Sequence, residues 1–159
     1  MNISDESPGT RSDRDADLRL KAKHRALWAS GDYPAVAAEL IPSLGPRLVQ
    51  ACNIQAGQRV LDVAAGSGNA AIPAAAAGAI VTARDMTPDL SATGRDIATQ
   101  QDLELDFAAA DAESMPFAAT RFDTVFSCLA PYFPPRPAAT APESHWVAPP
   151  GRRTQPRHG

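Results

Sequence analysis

Val60-Leu61-Asp62-Val63-Ala64-Ala65-Gly66-Ser67-Gly68-Asn69 is the stretch that decides the fold of this chain. An apolar run gives way to small residues and two glycines, and an alanine-rich segment follows. That is the pattern of a short buried strand, a tight turn and a helix. Glycines there permit tight backbone geometry and close approach of a ligand. The helix that follows offers free N–H groups at its positive end. The signal is weakly specific on its own. Gly66-Ser67-Gly68-Asn69-Ala70-Ala71 also satisfies the dinucleotide pattern G-x-G-x-x-A, and a tight turn with no ligand is the plain alternative.

Outward from this stretch, strand and helix patterns alternate. Arg59–Asp62 reads as a strand, Asn69–Ala77 as a helix, Ala79–Ala83 as a strand and Pro88–Gln100 as a helix with proline near its start. Leu103–Ala109 and Thr124–Cys128 read as the third and fourth strands. Upstream, Leu18–Ser30 reads as a helix stopped by Gly31. Asp32 caps a further helix with Pro34 in its first turn, and Pro46–Cys52 forms a short one. Such alternation predicts an α/β fold, a parallel sheet with helices on both faces. Ligands of such sheets bind beyond the carboxyl ends of the strands.

Acidic residues stand at those ends. Asp62 lies four residues before Gly66, where a pyrophosphate would be repelled. S-adenosylmethionine carries an ammonium and a sulfonium instead, which a carboxylate attracts. The other role open to Asp62 is helix or loop capping. Asp85, 17 residues after Gly68, can accept both ribose hydroxyls of an adenosine or cap the helix that follows. Met86 can lie against an adenine face or belong to the core. Asp111 can accept from an adenine amino group, with a backbone contact from Ala112; a solvated loop acid is the alternative.

Taken together, Val60–Asn69, Asp85-Met86-Thr87-Pro88, Asp111–Phe117 and Phe122–Cys128 resemble a class I S-adenosylmethionine-dependent methyltransferase. The similarity is strongest to the bacterial branch related to quinone-biosynthesis C-methyltransferases, and it covers roughly residues 18–130. It implies a Rossmann-like sheet and S-adenosyl-L-methionine as cofactor. Asp62, Ala65, Gly66, Ser67 and Gly68 would face its methionine part. Asp85 would hold the ribose, and Met86, Asp111 and Ala112 would surround adenine. Ser127 and Cys128 would end the fourth strand beside the reactive methyl. Ala64 stands where many members have glycine, a mild change.

The resemblance also implies seven strands, and only about four are readable. Eight of the 15 prolines fall in residues 129–159, where four arginines oppose Glu143 for a net +3. Residues 1–128 then carry −6 of the overall −3. Pro134-Pro135 and Pro149-Pro150 cannot sit in a central strand. Pro149-Pro150-Gly151 echoes the family's proline–glycine turn before the fifth strand only loosely. The organisation expected is a disordered segment 1–17, a cofactor-binding part 18–130 and an irregular tail 131–159. The chain then reads as truncated or frame-disrupted after the fourth strand, whose unpaired edge would favour self-association.

Composition narrows the function further. The chain has 159 residues, 44% of them apolar and 21% charged, which suits one folded domain. Two cysteines make no disulfide framework and fit a reducing, cytoplasmic setting. No stretch is long and apolar enough to span a bilayer. Four tail arginines with Tyr132 and Trp146 are thin grounds for a nucleic-acid partner, and none is expected. No Cys/His spacing suggests a metal. No residue stands out as a catalytic base. The reading is a methyltransferase acting on a small-molecule acceptor. The alternatives are a non-catalytic remnant or cofactor-binding module, and an NAD(P)-dependent oxidoreductase.

Overall fold

The computed structural model describes residues 11–32, 35, 39, 42–112, 114–117 and 121–128. Residues 1–10 of the segment expected at 1–17, and the whole tail expected at 131–159, lie outside these residues. Among the described residues the elements run α1 (Arg11–Ala29), α2 (Leu44–Ala51), β1 (Arg59–Val63), α3 (Ala71–Ala76), β2 (Ile80–Asp85), α4 (Pro88–Gln100), β3 (Asp106–Ala109) and β4 (Thr124–Phe126).

The four strands form one sheet in the order β3-β2-β1-β4, and every pairing is parallel. Asp62 is in register with Ala83 on one side and Phe126 on the other. All four carboxyl ends therefore share one edge of the sheet.

Side chains alternate across the strands. Val60 joins Ile72, Val81, Ala83 and Phe107 in one buried cluster with Leu48 and Val49 of α2. Leu61 and Val63 face the other way, onto Met115, Phe122 and Val125. Residues of α2, α3 and α4 all contribute to the first cluster. Helices were expected on both faces; among the described residues α2, α3 and α4 pack on one, and the other is covered by the segment between β3 and β4. Right-handed crossovers that step the same way, β1 to β2 to β3, place their helices on the same face. Phe117 and Phe122 meet edge to face there, 5.0 Å apart.

Three helices leave in the same manner. Asn53, Gly78 and Asp102 follow α2, α3 and α4 with φ of 51°, 87° and 53°. The next N–H in each case, of Ile54, Ala79 and Leu103, returns to Val49, Ala74 and Ala98. These closures satisfy the last helical carbonyls and turn the chain back toward the sheet.

Some boundaries differ from expectation. The first helix starts at Arg11, ahead of Leu18, because polar residues with Asp13 in the first turn extend it. β3 begins at Asp106; Leu103 and Leu105 pack against the core without pairing. β4 ends at Phe126, so Ser127 and Cys128 lie beyond it. Among the described residues, no helix is long and apolar enough to cross a membrane.

Candidate functional site

The turn after β1 is tightly wound. Ala64, Gly66 and Gly68 have φ of 54°, 57° and 92°. The left-handed region is open to glycine and costs an alanine about 1–2 kcal/mol. Ala64 is therefore strained, and the mild change expected there is a costly one. Gly68 is doubly required, because a Cβ on it would stand 2.9 Å from Ile72 and 3.0 Å from Phe107. α3 begins only at Ala71, after a further turn through residues 67–70.

β2 holds this turn in place. The Arg84 carbonyl accepts from the Ala65 N–H at 3.0 Å. The Asp85 carboxylate accepts from the Gly66 N–H on Oδ2 and from the Thr87 N–H on Oδ1, each at 2.8 Å. Asp85 thus bonds the glycine turn and the residue that precedes α4 at once. It is buried, and burial raises its pKa, against the pull of the Thr87 and Gly66 N–H groups.

Asp62 is fully buried, and neither carboxyl oxygen has a hydrogen-bond partner among the described residues. Burial pushes its pKa well above the usual carboxylate range. The Ala71 N–H draws it down without reaching hydrogen-bond geometry, and the negative charge of Asp85 raises it further. Cys128, half-buried, is pushed up to about 12 by burial and by Asp62. Asp62, Asp85, the turn and Cys128 therefore form one electrostatic neighbourhood. A buried carboxyl group with no partner is costly, and a cationic group is the partner that would relieve it. Among the described residues, Asn69 Nδ2, Thr87 Oγ1 and Ser91 Oγ are also buried with no partner in hydrogen-bond geometry. Sequence reading passed over these three, since a lone Asn, Thr or Ser near a helix start reads as a cap.

The loops after β2 and β3 carry the remaining expected residues. Met86 and Ala112 are half-buried. Asp111 binds the Lys21 ammonium of α1 at 2.5 Å, and Lys21 also reaches Asp17 at 3.2 Å. The Met86 carbonyl accepts from Arg25 Nε at 2.9 Å. Lys21 and Arg25 had no role in the sequence reading. Their signal was the spacing Asp17, Lys21, Arg25, which repeats along one helix face. Ser127 and Cys128 lie half-buried just past β4.

Comparison with known proteins bears on this arrangement. A family described as methyltransferase domain matches residues 60–151, more than half of the chain. The match runs past Leu129, where the resemblance was expected to stop, and includes Pro149-Pro150-Gly151. The apolar period fades in that proline-rich stretch, so a reading by periodicity loses it. An uncharacterised protein of Mycobacterium tuberculosis is 52% identical over 120 residues, which cover 76% of this chain and 44% of that one. Demethylmenaquinone methyltransferase of Renibacterium salmoninarum is 41% identical over 78 residues, 49% of this chain and 31% of that one. A candidate methyltransferase of Bacillus halodurans, solved by crystallography, is 31% identical with a TM-score of 0.60, covering 65% of this chain and 46% of that one. The chain thus spans less than half the length of these relatives. With the parallel sheet, the glycine turn and the acids at the strand ends, the match assigns the chain to the methyltransferase-domain family.

Proposed function

We propose that this chain binds S-adenosyl-L-methionine and serves methyl transfer to a small-molecule acceptor. The observation that carries this reading is Asp62, fully buried at the carboxyl end of β1 with both oxygens unpartnered among the described residues. A ligand with an ammonium and a sulfonium supplies the positive charge that this site lacks. Pyrophosphate would add negative charge beside Asp62 and Asp85, which disfavours a nicotinamide dinucleotide.

When bound, the cofactor supplies an electrophilic methyl group. The protein's part is binding and orientation. Asp62 and the turn Ala65–Gly68 would hold the methionine end. Asp85 would accept ribose hydroxyls with the lone pairs its backbone donors leave over. Met86, Asp111 and Ala112 would flank adenine, and Ser127 and Cys128 would border the methyl. The Cys128 thiol stays protonated at neutral pH, so it acts there as a small neutral wall. A small-molecule acceptor is consistent with the demethylmenaquinone methyltransferase among the relatives.

Titration calorimetry with S-adenosylmethionine and with NAD tests the reading. Binding of the first alone is expected. Binding of NAD alone would overturn it. Cofactor binding without turnover on any acceptor would favour a binding module.

A further inference from the structure

Arg84 interrupts the buried end of β2 with a charge. The strand lies between β1 and β3, and its last three residues are buried. Side chains alternate along a strand. Ala83 belongs to the cluster beneath the helices. Arg84, next along, stands in register with Val63 of the opposite cluster. Its side chain is only 10% exposed. A charge is rarely buried so far unless it is paired.

The Arg84 guanidinium joins two parts of the chain. Nη1 donates to the carbonyls of Ala83 at 3.0 Å and Asp106 at 2.7 Å, and Nη2 meets the Asp106 carboxylate at 2.6 Å. These bonds tie β2 to the start of β3. The guanidinium carbon also lies 5.3 Å from the centre of the Phe117 ring, where a cation is attracted. Phe117 follows β3 and packs with Ala110 and Ala112 against the second cluster. Arg121, exposed, approaches the same ring at 5.7 Å. The Arg84 carbonyl meanwhile accepts from Ala65 in the glycine turn. An apolar residue in this place would fill space without fixing a direction. A planar fork fixes one, and a lysine has neither the fork nor the flat face.

We infer that Arg84 is a positioning residue for the segment after β3, and that through Phe117 it sets how closely Asp111 and Ala112 seat against an adenine base. The inference rests on the cofactor reading and goes beyond it, since it assigns base selectivity to a side chain that acts through another. Loss of the stack frees the segment that carries Asp111 and Ala112. The glycine turn is held by backbone bonds and by Asp85, so the methionine end of the site keeps its shape.

Calorimetry on the whole chain with two probes tests this. One is S-adenosylhomocysteine; the other is S-inosylhomocysteine, whose base carries a carbonyl in place of the amino group. An acceptor at Asp111 favours the amino group, so the unaltered chain should prefer the adenine probe about tenfold. In Arg84→Met the preference is expected to narrow to about two- to threefold, through weaker binding of the adenine probe. Arg84→Lys should not restore it. Phe117→Leu, which keeps the bonds to Asp106, should narrow it likewise, and it decides the outcome if Arg84→Met does not fold. Arg95→Met loses a different contact to β3, at the Phe107 carbonyl, and should leave the preference unchanged. Equal weakening of both probes in the folded variants would overturn the positioning role and leave Arg84 as scaffold. An unaltered chain that binds both probes equally would overturn it too, with the cofactor reading intact. No heat of binding with either probe would overturn the cofactor reading, and this inference with it.

Discussion

Asp85 Oδ2 accepts the backbone N–H of Gly66 at 2.8 Å, across 19 residues of sequence and between two adjacent strand ends. The residue expected to hold a ribose is therefore also a structural brace of the glycine turn. A variant that removes it disturbs fold and ligand together.

Asp85→Ala is expected to lower stability by about 1–3 kcal/mol, since it strands the N–H groups of Gly66 and Thr87. Asp85→Asn retains one acceptor oxygen and should cost less. Denaturant unfolding of both variants checks this before any affinity is compared. Equal stability of Asp85→Ala and the unaltered chain would show that the brace contributes nothing.

Asp62 makes stability depend on pH. Its folded pKa is raised, so between about pH 4 and that raised value the folded state holds a proton that the unfolded state has released. The stabilising contribution of the protonated form is complete below about pH 4 and is lost as pH rises through the folded value. The limiting slope for one such group is about 1.4 kcal/mol per pH unit. Asp62→Asn cannot ionise and is expected to show a shallower decline from pH 4 to 7, with Asp85 supplying what remains. The same variant should lose S-adenosylmethionine binding. Parallel unfolding curves at pH 4.5 and 7 give the answer, and identical slopes in both proteins would refute the assignment.

Much of this arrangement was legible in the sequence because its signals are local. Pro88 opens α4 and a left-handed Asp102 follows its end, so Pro88–Gln100 was read with its bounds intact. The glycine turn announced itself through Gly66 and Gly68. What escaped was non-local or chemically silent. Lys21 and Asp111 are 90 residues apart, and no pattern in a polar helix points to its distant carboxylate. Ala64 gives no sign of a left-handed backbone, because alanine is the ordinary choice for helix and core alike. Leu103 and Leu105 looked like strand because they are apolar at period two, yet they pack without pairing. The tail's place in the family match was hidden by prolines that erase the apolar period.

Ala64→Gly is expected to stabilise the protein. Relief of a left-handed alanine is worth about 1–2 kcal/mol, and the added freedom of the unfolded chain takes back about 0.4–1 kcal/mol. A net gain of about 0.5–1 kcal/mol should appear as a higher denaturant midpoint at unchanged slope. A loss of stability instead would mean that the Ala64 methyl, which is partly buried, packs well enough to outweigh the strain.

Gly45→Ala should reach the same turn from the other side. Gly45 lies in α2, and a Cβ on it would stand 1.7 Å from the carbonyl oxygen of Asn69 and 2.5 Å from its carbon. Backbone cannot swing aside as a side-chain tip does, so α2 or the turn must move. Alanine is the better helix former by about 0.8–1.0 kcal/mol, which opposes the clash. Overpacking of this kind costs about 1–3 kcal/mol and is compounded here because the clash is with main chain. The expected result is net destabilisation together with weaker S-adenosylhomocysteine binding, since Asn69 directly follows Gly68. Ser43→Ala, at the exposed start of the same helix with no side-chain cap bond, serves as the control and should change neither. If Gly45→Ala raised the unfolding midpoint, helix propensity would have won, and the close seating of α2 on the turn would not constrain the site.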